Sequence, residues 1–257
     1  MRTPWQIQQA VIKALLIREL KTRFGSSPLG YAWAIIGPFL QILIMVVIFS
    51  AINRTGYQGL PYPLFFAPAI LLLNFLTSMM TSGAATIKAN KGLFNYKQVK
   101  PFDAFLTRLL LECTIMLVVF VVIFLVYLWW GYEIHIQNPL LAFAIIISLA
   151  MLGLGFAIIF GSLNLYFKDT EKLIPLLTRP LFFISCVMYP LIVVPQEYLH
   201  FFLWNPLVHA IELMRIALYA NYLSPDVDLF YLFQCGLVSL FIGLLFYRTH
   251  WQRMVAT

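Results

Sequence analysis

Charge is what this sequence has least of. Only 11% of its 257 residues are Asp, Glu, Lys or Arg, while 62% are hydrophobic. Soluble domains carry roughly 25% charged residues, and a water-soluble fold of this length cannot cover so much apolar surface. The bilayer is therefore part of its solvent. Cysteine is also scarce. Cys113, Cys186 and Cys235 lie far apart in apolar stretches, with no CxxC and no His/Cys cluster. That spacing gives no disulfide framework and no support for a metal site, and reads as small core residues. A phosphate-binding loop is missing as well: Gly25-Ser-Ser-Pro-Leu-Gly30 has the glycine spacing, but Tyr31-Ala32 follows where Lys-Ser/Thr is required. Any uphill work must then be driven by another chain. The start, MRTPWQIQQAVIKALL, lacks the short apolar core and small-residue cleavage site of a signal peptide.

Ionisable groups are nearly absent from the long apolar stretches. Glu112 and Arg179 are the exceptions, and each is expected near a span end, where snorkelling is cheap. A proton-coupled pump or a membrane protease needs clustered Asp, Glu or His inside its spans, and the sequence offers none. Asp226-Val-Asp228 has the form of the DxD of sugar transferases, but it falls on the expected external side, away from nucleotide sugars and magnesium, and reads as a solvated loop end. His135, His200, His209 and His250 have no partner at ligand spacing, so no metal is assigned.

What the sequence does contain is long charge-poor runs. A spanning helix needs about 20 apolar residues. Six stretches qualify: Tyr31 to Ile52, Pro63 to Ile87, Leu109 to Trp130, Pro139 to Phe167, Ile174 to Val194 and Leu229 to Tyr247. The predicted fold is an all-α integral membrane protein in one transmembrane domain, 1–257. Residues 1–30 form an interface helix and turn, 31–247 a six-span bundle, and 248–257 a tail. The net charge of +7 is then about topology rather than nucleic acid. Of 17 Lys and Arg residues, only Arg54 and Arg215 fall on one side of this parse and the other 15 on the opposite side. By the positive-inside rule both ends face the cytoplasm.

Two segments depart from a plain bundle. In the first 24 residues Trp5, Ile12, Leu16 and Leu20 share a helical face with Leu15 beside them, interrupted by Glu19 and Arg23. A basic amphipathic helix before a first span is expected to lie in the interface plane, with Gly25 to Gly30 turning the chain into the membrane. Between the last two spans, Pro195 to Asp228 is external yet largely apolar and broken by prolines. It is expected to form one or two short re-entrant helices, whose backbone must be buried in protein or line a wet cavity. The loop Lys88 to Arg108 is basic until Asp103 and is bounded by Gly92 and Pro101. It reads either as a short helix docking into a partner or as a topogenic loop on anionic lipid. Gly153, Ala157 and Gly161 repeat at four-residue intervals, a spacing that lets helices approach closely. Aromatic residues make up 16%, and Trp129, Trp130, Tyr132, Trp204 and Trp251 fit interfacial belts.

Several motifs resemble the permeases of type-2 ABC exporters. They are Arg18-Glu-Leu-Lys-Thr-Arg-Phe-Gly-Ser-Ser-Pro-Leu-Gly-Tyr-Ala-Trp33 with Gly37-Pro38, then Gln98-Val-Lys-Pro-Phe-Asp103 with Arg108, then Tyr166-Phe-Lys-Asp-Thr170, and Asn205-Pro206-Leu-Val-His209 through Glu212 and Arg215. Many relatives have an Arg-Asp pair where this chain has Lys168-Asp169. The similarity runs along the whole chain in order. Within the superfamily it is greatest to the capsular-polysaccharide export permeases of Gram-negative bacteria.

The resemblance implies a dimer of permeases with two separate ATPase subunits that bind ATP and magnesium; this chain itself carries no cofactor. It implies a lipid-linked polysaccharide as substrate and periplasmic and outer-membrane export components as further partners. Tyr96, Lys97, Gln98, Val99, Lys100, Lys168 and Asp169 would receive motion from the ATPase, and Asn205, Pro206, Glu212 and Arg215 would close the external end. A polyanion crossing a bilayer needs cations near its entrance, and Arg179, Arg108, Lys88 and Lys91 are the candidates. Export of another lipid-linked glycan, O-antigen or teichoic acid, stays open at this point. So do a membrane-embedded transferase, which would need a reactive cluster not found here, and a self-sufficient channel, which would not need so elaborate a cytoplasmic face.

Overall fold

The computed structural model describes residues 3–25, 30–52, 57–96, 98–132, 136–219, 222–224 and 226–256. Helices dominate, and the only β-type pairing among these residues is one isolated bridge between Tyr57 and Leu60. The helices are α1 (Pro4–Phe24), α2 (Gly30–Ile52), α3 (Tyr62–Asn90), α4 (Pro101–Trp129), α5 (Pro139–Leu163), α6 (Thr170–Ile184), α7 (Gln196–Leu203), α8 (Pro206–Leu218) and α9 (Leu229–Ala256). Five of them, α2, α3, α4, α5 and α9, are long and apolar enough to cross a membrane. Their composition leaves no alternative in lipid, where each backbone group must bond within its own segment.

α3 is the hub. Most of its length is buried, from Tyr62 to Asn90, and it packs on α2, α4, α5, α6 and α8. α5 packs most extensively on α9 and α3. Small residues allow both contacts. A Cβ added at Gly83 would lie 2.4 Å from the Ala157 backbone, and one at Gly155 would lie 2.4 Å from the Ser239 backbone. The expected Gly153–Ala157–Gly161 face is turned to α3 and Phe105, and Gly155 lies on a second seam facing α9.

The ends of the bundle differ. One, here the basic end, carries α1, the turn from α3 to α4, the start of α6 and the end of α9. The far end carries α7 and α8. Three expectations change in detail. Ile174 to Val194 is not one continuous helix: α6 has 15 residues and stops at Ile184, before Cys186 takes a left-handed φ of 55°. Irregular backbone and one 3-10 turn, Leu191–Val193, lead on to α7. This segment is tolerated because Cys186, Val187 and Leu191 are fully buried in protein. The span from Pro139 ends at Leu163 rather than Phe167, in a run of turns. Residues 248–256 are no separate tail, since α9 continues to Ala256.

α1 also differs. Its buried residues are Leu15, Glu19 and Phe24, while Trp5 is 70% exposed and Ile12, Leu16 and Leu20 are half-buried. The face is chosen by ion pairs rather than by the apolar stripe. Its start is fixed by a capping box between Thr3 and Gln6. Of the expected turn into the membrane, residues 26–29 lie outside the described residues, as do Arg54, Lys97 and His135.

Candidate functional site

At the basic end, ion pairs and hydrogen bonds hold α1 against α3 and α4. Glu19 Oε2 lies 3.0 Å from Arg108 Nη2 on α4, and Glu19 Oε1 accepts from Arg18. Arg23 of α1 pairs with Glu112 of α4. Gln8 donates to Asp103, and Arg18 donates to Asn90 at the end of α3. Glu112 therefore does not snorkel to water as expected; it is buried and neutralised by α1. The expected substrate-path residue Arg108 is likewise committed to Glu19. Glu19 and Asn90 were not singled out by sequence, because a single Glu in a basic helix looks like an interruption rather than an anchor.

Between α1 and the α3–α4 turn runs a groove of about 520 Å³, lined by Ile7, Val11, Ala14, Leu93, Gln98 and Val99. Tyr96, in the same α3–α4 turn, is 65% exposed. Lys100 caps α4: its backbone N–H donates to Asp103 Oδ2 at 3.0 Å. Asp169 sits outside the bundle in a 2.7 Å pair with Lys172, which holds the Asp169 carboxyl below and the Lys172 ammonium above their ordinary pKa values. Lys168 joins Lys88 and Lys91 around a separate cavity of about 380 Å³. Arg179 is exposed on α6 and makes no ion pair or hydrogen bond with the described residues. The sequence candidates for a cation path thus divide into three places rather than one.

A third cavity, about 570 Å³, opens between α2, α3 and α4. Its walls mix apolar residues with Asn74, Ser78, Arg23 and Glu112. Asn74 Nδ2 donates to Gln41 Oε1 at 3.0 Å, a cross-helix bond that fastens the otherwise exposed α2 to α3.

The far end is built around a buried ion pair. α7 and α8 meet at 100°. Asn205 makes the corner: its Oδ1 accepts from Leu207 N at 3.0 Å, and its Nδ2 donates to Ser185 Oγ at 2.8 Å. Pro206 opens α8, where a missing N–H costs nothing. Glu212 and Arg215 are both 0% exposed and pair at 2.7 Å. Arg215 also donates to the Phe65 and Val187 carbonyls at 3.3 Å, and its guanidinium lies 3.6 Å from the centre of the Phe65 ring. Glu212 accepts from Tyr222 Oη at 2.8 Å and from Leu191 N at 3.3 Å. These side chains bolt α8 to α3; they do not line an open passage.

His209, left unassigned by sequence, is a staple. Its Nδ1 accepts the Asp228 N–H at 2.9 Å, so the ring proton is on Nε2, which donates to the Leu203 carbonyl at 2.9 Å. Asp228 then caps α9 through Phe230 N at 2.8 Å. That role accounts for one carboxylate of the DxD-like pair without a metal.

Residues 10–219 match the ABC-2 type transporter family. The chain is similar along its whole length to the polysialic acid transport protein KpsM of Escherichia coli, with 38% identity over 256 residues, covering 100% of this chain and 99% of the relative. It is 27% identical over 241 residues to the capsule polysaccharide export inner-membrane protein CtrC of Neisseria meningitidis serogroup A, covering 93% and 90%. It is 28% identical over 205 residues to the O-antigen export system permease protein RfbA of Klebsiella pneumoniae, covering 76% and 74%. With the family match running from within α1 to the end of α8, this chain belongs to the ABC-2 type transporter family.

Proposed function

We propose that this chain is the channel-forming permease subunit of an ATP-driven exporter that moves a lipid-linked capsular polysaccharide from the cytoplasm across the inner membrane. The observation that carries the reading is the end-to-end 38% identity with a polysialic acid transport protein. The basic end is the cytoplasmic face, with both termini there. Two copies of the chain form the channel, and two ATPase chains bind ATP and magnesium and drive it. The groove beside α1 with Tyr96, Gln98 and Val99 receives the ATPase, and α7 and α8 close the external end. Periplasmic and outer-membrane components carry the polymer onward. O-antigen export is the second reading, favoured by the similarity to RfbA over a shorter part of the chain.

The test is complementation. Expressed with its cognate ATPase in strains lacking their own capsule or O-antigen permease, the chain should restore surface capsule and not O-antigen. Restoration of O-antigen alone would replace the first reading with the second. Purified without its partner, the chain should not hydrolyse ATP, and cysteines placed at Tyr96 or Gln98 should cross-link to the ATPase.

A further inference from the structure

The acids of the basic end are nearly all spoken for. Glu19 takes Arg108 and Arg18, Glu112 takes Arg23, and Asp169 takes Lys172. Asp103 accepts from Gln8 and from the Lys100 backbone. Lys88, Lys91 and Lys168 appear in none of these pairs, yet they border one cavity of about 380 Å³ between the ends of α3 and α5 and the start of α6. Three ammonium groups and a single carboxylate, Glu171, share its wall, so it holds two surplus positive charges.

Asn164 adds a second, independent sign. Its Nδ2 donates to the Ala84 carbonyl and to Glu171 Oε1, both at 2.9 Å. Those two acceptors fix which way the amide points, and they leave Oδ1 buried with no partner. An orphaned acceptor costs free energy until a donor reaches it. The wall therefore asks for a net anion that also brings hydroxyl donors: phosphate oxygens for the lysines, hydroxyls for Asn164 Oδ1 and the free oxygen of Glu171. The cavity lies where two spanning helices end, at the level of lipid head groups, and Ala84, Ile87 and Leu165 give it an apolar side. We infer that it holds the phosphoglycerol head group of an anionic phospholipid as a bound structural lipid. The inference goes beyond export and is independent of the polymer transported.

The test is native mass spectrometry of the full-length protein with phosphatidylglycerol, phosphatidylmethanol and phosphatidylethanolamine of matched acyl chains. Phosphatidylmethanol keeps the charge and removes the hydroxyls; phosphatidylethanolamine keeps donors and removes the net charge. Phosphatidylglycerol should be retained at least tenfold more than either. Lys88→Gln, Lys91→Gln and Lys168→Gln together should cut its retention at least tenfold, while Lys13→Gln with Lys21→Gln on α1 should leave it unchanged. All five lysines are exposed, so both variants should fold. Equal retention of phosphatidylglycerol and phosphatidylmethanol would overturn the inference, as would full retention by the triple variant, which would mark the lysines as topological only. Displacement of bound phosphatidylglycerol by a soluble acidic oligosaccharide would assign the cavity to the glycan instead. Because binding rather than export is read, a failure here leaves the transport reading standing.

Discussion

Arg215 has no route to water: it and Glu212 are wholly enclosed, and every polar contact of its fork is made within protein. The geometry is specific to guanidinium. A lysine has no fork with which to reach Glu212, Phe65 O and Val187 O together, and it stacks less well on a ring. Removing one partner of such a pair costs about 3–5 kcal/mol, because the other charge stays buried alone. Arg215→Ala and Glu212→Ala should each reduce folded protein in detergent thermal unfolding by an amount of that order, and Arg215→Lys should recover little. Replacing both, with Arg215→Met and Glu212→Leu, should cost less than the sum of the two alanine changes. Native melting of Arg215→Lys would show that charge alone matters and the fork does not. The family resemblance marks these two residues as a candidate gate; the sequence does not show that they are sealed, since the groups that enclose Arg215 come from Phe65 and Val187, 150 and 28 residues away.

At the level of elements, α5 works through two seams of small residues. Gly153, Ala157 and Gly161 repeat every four positions and are visible in the sequence. The opposite seam, Ser148 and Gly155 against Gly236, Ser239 and Gly243, is not, because half of it belongs to α9. Ser239 Oγ donates to the Leu152 carbonyl at 3.1 Å, tying the two backbones at close range. A side chain at Gly155 has nowhere to go, because the nearest obstacle is backbone. Overpacking a tight site costs typically 1–3 kcal/mol and more where backbone must move. Gly155→Leu should therefore abolish recovery of folded protein, while Gly37→Ala on α2, with nothing within 4 Å, should be silent. A well-folded Gly155→Leu protein would mean that α5 and α9 separate at little cost. α1 shows where periodicity stops being informative: helical spacing picks out Trp5, Ile12, Leu16 and Leu20, but two ion pairs across to α4, Glu19 with Arg108 and Arg23 with Glu112, decide which face turns inward.

For the whole molecule, lysine and arginine placement argues for one orientation. Reporter fusions after Tyr57, Gln137 and Asp226 should read periplasmic, and fusions after Asn95 and Asp169 cytoplasmic. A cytoplasmic signal at Gln137 would break the parse. The helices α2, α3, α4, α5 and α9 are legible from hydropathy alone because lipid permits no other structure for such runs. The expected span Ile174 to Val194 is less legible: α6 falls short of the five long helices, and no hydropathy pattern encodes the left-handed backbone at Cys186. If that stretch crosses the membrane, it has a consequence for the surrounding bilayer. Fifteen helical residues rise about 22 Å, against a hydrocarbon core of about 30 Å. Leu173, Leu176, Leu177, Phe183 and Ile184 face outward along this short stretch. Lipid beside α6 should then thin to meet it and draw head groups and water toward Arg179. Hydrophobic mismatch would then make the protein's stability depend on acyl-chain length: reconstituted in bilayers of increasing thickness, it should lose thermal stability steadily, and a flat response would show that a second chain covers α6 and hides it from lipid.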